Sequence, residues 1–191
     1  MMFFVHLLYS NCMKKSTLIL AILALLLFLP STYLTAQNNQ EDFTIYLIRH
    51  SEKDLLSDNQ IDPPLTKCGV KRSVFLRDFF QEITVDKIYS TNYLRTKNTA
   101  KPIALSKNLD IKYYDPSDLK SFSELLINSK QNILVVGHSN TTPVLAGLLD
   151  GEEKAPFDES IYNRIYKISF NGDETKLFMI ETPFNCKYDI L

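Results

Sequence analysis

The stretch Ile133-Leu134-Val135-Val136-Gly137-His138-Ser139 places four consecutive apolar residues before a glycine, a histidine and a serine. A short apolar run of this kind is typical of a strand buried on both faces, as in a parallel sheet. Ile45-Tyr46-Leu47-Ile48-Arg49-His50-Ser51 has a similar arrangement. Because ligands bind outside the carboxyl ends of parallel strands, we expect both histidines to lie beside the same ligand. The two stretches therefore predict one site at one edge of an α/β sheet.

Strand-like and helix-like segments alternate around these two stretches. The predicted strands cover 44–48, 87–89, 111–113 and 133–136, and the predicted helices cover 67–80, 95–106, 118–129 and 143–149. Asn171-Gly172-Asp173-Glu174, between strand-like segments at 162–170 and 176–182, is a hairpin turn signal. The pattern predicts an α/β fold, a three-layer α/β/α sandwich with a mostly parallel central sheet and a C-terminal antiparallel hairpin at its edge.

Residues 1–36 have the layout of a secretory signal peptide. Lys14-Lys15 precedes an apolar run over 18–29, and small residues end the segment at Ala36. The apolar run is shorter than the roughly 20 residues that a spanning helix needs. We expect cleavage after Ala36, with Met13 as an alternative start, and export to the periplasm or out of the cell.

The predicted mature domain, residues 37–191, is large enough to bury a core of its own. Without the two leader lysines, 19 basic residues face 22 acidic ones, a formal net charge of −3 with no basic run. This balance argues against nucleic acid and against an anionic membrane surface as partners of the mature domain.

Two cysteines remain in the mature domain, Cys68 and Cys186. In an exported protein they either form a disulfide or stay as two separate thiols, and their spacing does not decide between the two. Neither the cysteines nor the two histidines provide a close pair of metal ligands, so we predict no metal and no cofactor.

The predicted sheet edge has the groups that bind a phosphate. Arg49 adjoins His50, and Arg95 lies near the start of a predicted helix. Guanidinium groups bind phosphate oxygens in a bidentate manner, and helix N-termini add oriented N–H groups. A second helix start follows His138, where Thr142 precedes Pro143. A neutral histidine in such a site can attack phosphorus and form a phosphohistidine, which water then hydrolyses.

Four ordered blocks in this chain resemble the motifs of the histidine phosphatase superfamily, which has the phosphoglycerate mutase-like fold. They are Leu47-Ile48-Arg49-His50-Ser51-Glu52-Lys53, Pro64-Leu65-Thr66-Lys67-Cys68-Gly69, Tyr89-Ser90-Thr91-Asn92-Tyr93-Leu94-Arg95-Thr96-Lys97-Asn98-Thr99-Ala100 and Val136-Gly137-His138-Ser139. The resemblance implies that His50 is the phosphorylated nucleophile and that Arg49, Arg95 and His138 complete the phosphate-binding core. It also implies a metal-independent phosphatase acting on a small phosphorylated substrate or a phosphoprotein.

Two further features of the predicted site depend on individual residues. Ser51 stands where many members of the superfamily have glycine, and Ser51 and Ser139 are expected to contact the substrate. The acid that protonates the leaving group is open among Asp115, Asp118 and Glu52, with Asp115 preferred because Asp118 also fits a helix N-cap. Without such an acid, the enzyme would favour substrates with good leaving groups, including phosphohistidine.

Three other functions compete with the phosphatase reading. The fold could serve as a non-catalytic anion-binding module. A phosphoglycerate mutase-type phosphotransferase would need more substrate-facing cations than this short chain offers. A serine hydrolase using Ser139 matches part of the G-x-S-x-G pattern, but the pattern lacks its last glycine and no histidine follows the serine.

Overall fold

The computed structural model describes residues 42–186, and within them six strands and four helices follow the predicted order. The strands are β1 (Phe43–Arg49), β2 (Lys87–Ser90), β3 (Ile111–Tyr113), β4 (Ile133–Gly137), β5 (Arg164–Asn171) and β6 (Glu174–Glu181). The helices are α1 (Lys67–Phe79), α2 (Leu94–Lys107), α3 (Leu119–Ser129) and α4 (Thr142–Asp150). The predicted leader, Met13 and the cleavage site lie outside the described residues. None of the described helices combines the length and apolar character that crossing a membrane requires.

The strands form one sheet in the order β3-β2-β4-β1-β5-β6. The pairs β2 with β3, β2 with β4 and β1 with β4 are parallel, whereas β1 with β5 and β5 with β6 are antiparallel. Strand β4 lies between β2 and β1, in the interior of the sheet. This position agrees with its apolar run, which predicted a strand buried on both faces. The predicted mostly parallel sheet with an antiparallel hairpin at its edge is confirmed.

Both faces of the central strands are covered by helices. Ile45 and Leu47 of β1, together with Ile133 and Val135 of β4, pack in a core with side chains of α3 and α4. The intervening residues of the same strands pack in a second core with α1 and α2. Since successive side chains of a strand point to opposite faces, a strand buried on both sides needs an unbroken apolar run.

Helix α1 packs directly on the chain that follows His50. The Glu52 carbonyl accepts a hydrogen bond from Thr66 N–H at 2.9 Å, and Thr66 caps α1 through Gly69 N–H at 2.9 Å. A Cβ on Gly69 would lie 3.1 Å from Glu52 N and would collide with the Glu52 carbonyl oxygen. A glycine at this position therefore allows the helix to hold the His50 loop by close backbone contact.

A disulfide joins Cys68, in the first turn of α1, to Cys186 across 118 residues, with the two Cα atoms 5.8 Å apart. Of the two possibilities that the sequence left open, the structure has the bridge. It ties the C-terminal segment to α1, where the ring of Phe184 also covers the Arg72 guanidinium at 4.7 Å.

Replacing both cysteines by serine is expected to lower the free energy of unfolding by about 2–4 kcal/mol, because the bridge limits the freedom of the unfolded chain. Urea denaturation of the Cys68→Ser, Cys186→Ser protein and of the parent protein measures the difference. A reductant should destabilise the parent protein by a similar amount and leave the double variant unchanged. Equal urea midpoints for the oxidised parent and the double variant would contradict the expectation.

Candidate active site

The parallel register brings the ends of three strands together. Arg49 at the end of β1 is paired with Gly137 at the end of β4, and Ser90 at the end of β2 is paired with Val136. His50 N–H donates to the Gly137 carbonyl at 2.9 Å. The His50 and His138 rings meet edge to face with their centroids 5.4 Å apart. The predicted approach of the two histidines is therefore present in the fold.

The neighbours of His50 determine its protonation. Its Nδ1 lies 2.7 Å from the Ser51 carbonyl oxygen, which can only accept a hydrogen bond, so Nδ1 carries the proton and Nε2 keeps its lone pair. The residue is 2% exposed. Burial lowers the pKa of His50 to about 2, and the positive charge of Arg49 contributes in the same direction. His50 is thus a neutral imidazole whose Nε2 carries no proton.

His138 contacts Thr91, the residue that directly follows β2. The Nε2 atom of His138 lies 2.9 Å from the Thr91 hydroxyl oxygen. Its backbone N–H donates to the Thr141 hydroxyl at 3.1 Å, just before α4. Burial lowers the pKa of His138 to about 4, with further contributions from the charges of Arg95 and Arg49. Both imidazoles are therefore neutral at physiological pH in the absence of a bound anion.

Arg49 is 3% exposed and anchors a distant loop. Its Nη1 donates to the carbonyl oxygens of Glu159 and Ile161, the latter at 3.0 Å. Its guanidinium carbon lies 4.1 Å from the centre of the Tyr162 ring. The loop before β5 therefore returns to the sheet edge at His50, where the antiparallel β5 begins.

Arg95 lies in the first turn of α2, and its guanidinium carbon is 4.3 Å from the centre of the Tyr93 ring. Leu94 N–H donates to both carboxylate oxygens of Asp62, Oδ1 at 2.8 Å and Oδ2 at 3.0 Å. The same Oδ1 lies 3.5 Å from Arg95 Nη1. Tyr93, the residue at the N-cap, supplies no capping side chain. A carboxylate from the loop after β1 thus caps α2 and contacts the Arg95 side chain.

Four of the buried polar atoms without a hydrogen-bond partner within the described part of the chain belong to residues at the end of β1 or the start of α2 and α4: Arg49 Nε, Ser51 Oγ, Arg95 Nε and Thr142 Oγ1. Leaving a charged donor buried without a partner is costly, so such a group calls for a partner such as a water, an ion or a ligand. Two guanidinium donors beside a neutral imidazole are suited to binding an oxyanion.

A cleft of about 500 Å³ opens above these groups. It is lined by the predicted residues His50, Arg95, His138 and Ser139 and by Lys53, Tyr93, Pro116, Ser117, Asn140, Thr141 and Glu159. Arg49 and Ser51 are not among the lining residues, and both are buried. The sequence assigned no role in the site to Lys53, Asp62, Thr91, Tyr93 or Glu159, although three of them lie within the quoted motif blocks. They come from the loops after β1, after β2 and before β5.

The three candidate leaving-group acids have other partners. The exposed carboxylate of Asp115 accepts hydrogen bonds from Ser117 N–H at 2.9 Å and from its hydroxyl at 2.7 Å, which lower the pKa of Asp115. Asp118 caps α3 through Ser121 N–H at 3.1 Å. Neither aspartate lines the cleft, so the preference for Asp115 as the acid has no support from its position.

Glu52 also faces away from the cleft. Its carboxylate forms a bidentate ion pair with Arg72, with distances from 2.6 to 3.0 Å. Lys53, which could have been its surface partner, pairs instead with Glu159 at 3.0 Å. Glu52 also lies near Cys68 and Cys186, a grouping that could hold a metal ion if the thiols were free. With the two sulfurs joined to each other and the carboxylate paired, this group is not a ligand set.

The two neutral histidines predict a loss of stability in acid. Their folded-state pKa values, about 2 and about 4, lie below the ordinary value of 6.5, so the unfolded chain binds protons that the folded chain rejects. Their contribution is complete above about pH 6.5 and is lost as the pH falls toward 4. We expect the free energy of unfolding to fall by up to about 1.4 kcal/mol per pH unit for each histidine.

Urea denaturation at pH 7, 6 and 5 measures this slope. The His138→Asn protein is the comparison, because it removes one of the two titrating groups and leaves every carboxylate in place. Its free energy of unfolding should fall less steeply between pH 6.5 and 4. An equal slope for the two proteins would show that His138 does not contribute to the acid sensitivity.

The sequence and the fold were compared with known proteins. Residues 45–116 match the family model of the histidine phosphatase superfamily (branch 1). The sequence search found no match among curated proteins.

Several solved structures have a similar fold. The protein histidine phosphatase SixA complexed with tungstate is 16% identical, with a TM-score of 0.60 over 72% of this chain and 96% of that one. The alpha-ribazole phosphatase from Shigella flexneri is 16% identical, with a TM-score of 0.61 over 73% and 96%. The mycobacterial glucosyl-3-phosphoglycerate phosphatase complexed with VO3 is 11% identical, with a TM-score of 0.57 over 71% and 96%.

At these identities the likeness to solved structures shows a common fold. The match over residues 45–116 covers the segment with Arg49, His50 and Arg95. Residues 45–116 of this chain are therefore similar to the histidine phosphatase superfamily (branch 1), and the described fold is similar to the fold of these phosphatases.

Proposed function

We propose that the protein is a phosphatase that hydrolyses a phosphomonoester or a phosphohistidine through a phosphohistidine intermediate on His50. One observation carries the proposal: a buried, neutral His50 that carries its proton on Nδ1 and keeps the Nε2 lone pair lies beside two guanidinium groups whose Nε atoms have no partner among the described residues. This combination supplies a nucleophile and the donors for the anion that it attacks.

The first step forms a bond between His50 Nε2 and phosphorus and breaks the bond between phosphorus and the leaving group. Charge on the transferred phosphoryl oxygens is stabilised by Arg49 and Arg95, since fixed donors aimed at developing charge lower the barrier. The Ser51 carbonyl holds the Nδ1 proton, so the phosphorylated ring keeps its orientation. In the second step water attacks phosphorus, the bond to Nε2 breaks, and phosphate leaves.

We also propose that the reaction proceeds without a metal ion. Positive charge is what a metal contributes to phosphoryl transfer, and here Arg49, Arg95 and Lys53 supply it around His50 and His138.

The solved structures of similar fold support a phosphorylated substrate. Their names describe phosphatases acting on a protein histidine, on alpha-ribazole and on a glucosyl-3-phosphoglycerate, and two of them hold the oxyanions tungstate or VO3. We propose a small phosphorylated molecule or a phosphoprotein as the substrate of this chain.

We further propose that the mature domain acts after export. The leader-like pattern of residues 1–36 supports this location. The Cys68–Cys186 disulfide fits it as well, because disulfides persist in oxidising compartments. Fractionation of the source cells, followed by N-terminal sequencing, tests the location and the cleavage site together.

The experiment that tests the function is mass spectrometry of the protein after brief reaction with p-nitrophenyl phosphate and an acid-free quench. An acid-labile phosphate on His50, together with phosphate release, is the expected result. No adduct and no phosphate release across a panel of monoesters and phosphohistidine would favour a non-catalytic anion-binding module. Transfer of the phosphoryl group to a second substrate position, without release, would favour a mutase.

A further inference from the structure

Glu159 is the single carboxylate that lines the cleft within residues 42–186. Its side chain is 69% exposed, whereas His50, which lines the same cleft, is 2% exposed. From these exposures we infer that the carboxylate lies toward the open end of the cleft and His50 toward its floor. Lys53 Nζ donates to its Oε2 at 3.0 Å. The candidate acids suggested by the sequence bind elsewhere, which leaves Glu159 as the carboxylate in the described cleft.

The main chain of Glu159 is attached to the phosphate site itself. Its carbonyl oxygen accepts a hydrogen bond from Nη1 of Arg49, the residue directly before His50. The Ile161 carbonyl accepts from the same nitrogen at 3.0 Å. These two hydrogen bonds fix the main chain before β5 at the sheet edge. The Glu159 backbone is therefore held in a fixed position beside the cleft.

The geometry of in-line displacement indicates what a carboxylate at the position of Glu159 can do. In-line displacement places the leaving group on the side of phosphorus opposite His50 Nε2, toward the open end of the cleft. After that group departs, the attacking water enters from the same side. A carboxylate at the open end is therefore next to the water rather than next to the nucleophile.

We propose that Glu159 is the general base of the second step and that Lys53 is the residue that positions its carboxylate. The assignment rests on the proposed phosphatase function. In this step the water oxygen bonds to phosphorus, the bond between phosphorus and His50 Nε2 breaks, and one water proton moves to Glu159. Phosphate then leaves, and Glu159 returns its proton to solvent.

The charges around Glu159 favour a base over an acid. The hydrogen bond and charge of Lys53 lower the pKa of Glu159, and the charges of Arg49 and Arg95 act in the same direction. Within residues 42–186, its charge also interacts with His138, which is neutral, and with Tyr162. An ionised carboxylate at neutral pH can accept the proton of the water but has none to give to a leaving group.

The Glu159→Gln protein tests the proposal, since it keeps the size of the side chain and removes its basicity. General base catalysis is typically worth about 10²–10⁴-fold, so kcat should fall by at least about 10²-fold. Phosphorylated His50 should accumulate, and rapid mixing with p-nitrophenyl phosphate should give a burst of close to one p-nitrophenolate per enzyme. Because the second step is common to all substrates, kcat should become the same for monoesters with different leaving groups.

Asp158→Asn is the matched control, because it removes a carboxylate from the adjacent position of the same loop. Asp158 accepts hydrogen bonds from Ser160 and does not line the cleft. It should turn over like the parent protein. If Glu159→Gln behaves like Asp158→Asn while the parent protein still forms phosphorylated His50, the Glu159 assignment is wrong and the phosphatase proposal stands. If the parent protein forms no adduct, both fail.

Lys53→Met separates a positioning role from a purely structural one. Without the ammonium group the pKa of Glu159 rises, so the acid limb of the kcat profile should move to higher pH. A fall in kcat at every pH without movement of that limb would contradict the role of Lys53.

Discussion

Replacing His50 by alanine is expected to lower kcat/KM for p-nitrophenyl phosphate on the order of 10⁴-fold or more, because it removes the atom that bonds to phosphorus. The fold should persist, since His50 contributes no charge to the core and its side-chain hydrogen bond within residues 42–186 is to the neighbouring Ser51 carbonyl. Steady-state kinetics and near-ultraviolet circular dichroism measure the two expectations on the same sample.

The His50→Ala protein should still bind an oxyanion, because Arg49 and Arg95 remain in place. Tungstate binding measured by calorimetry therefore serves as the control for an intact pocket. Full turnover by a folded His50→Ala protein would eliminate the phosphohistidine mechanism. Loss of turnover together with loss of tungstate binding would point to collapse of the site instead.

Replacing Arg95 by methionine is expected to cost about 10²–10³-fold in kcat/KM, the usual effect of removing one donor that stabilises transition-state charge. The buried Nε of Arg95 has no partner among the described residues, so a bound phosphate is its natural acceptor. Arg95→Lys should recover only part of the loss, because lysine keeps the charge but not the bidentate geometry.

Arg77→Met is the control for Arg95→Met. Arg77 lies in the last turn of α1, has a side chain that is 42% exposed, and pairs with Asp78. Surface ion pairs contribute little, at most about 1 kcal/mol, so this variant should keep the kinetic constants of the parent protein. Equal effects of the two substitutions would remove Arg95 from the phosphate site.

Local patterns in the sequence predicted most of the fold. The unbroken apolar run at 133–136 predicted a strand buried on both faces, and its side chains lie in the two cores. The Gly172-Asp173 turn joins β5 to β6, with Asn171 paired to Glu174. Both signals depend on residues close in the chain. The predicted helices and strands differ from the observed ones by one or two residues at most ends, where capping by Thr66 and Asp118 sets the limits.

The predicted site residues are those that follow strands or start helices. His50 and His138 come directly after β1 and β4, and the parallel register brings them together at the same edge. That register is itself a consequence of the strand pattern, so the sequence was sufficient to pair them. Asp115 also follows a strand, but its carboxylate accepts hydrogen bonds from the backbone N–H and hydroxyl of Ser117. This local side-chain interaction competes with any role of the carboxylate in the cleft.

By itself, the sequence determined the layers of the sandwich, the edge at which the site forms and the pairing of two imidazoles with two guanidinium groups. These features follow from residue periodicity and from where the strands end, and both depend on residues that are close together in the sequence. Tertiary structure alone decided that Cys68 and Cys186 are joined, that Asp62 contacts Arg95, and that Glu159 with Lys53 lies at the open end of the cleft. Each of these contacts joins segments 33 to 118 residues apart, and only the packing of the elements between them sets the distance.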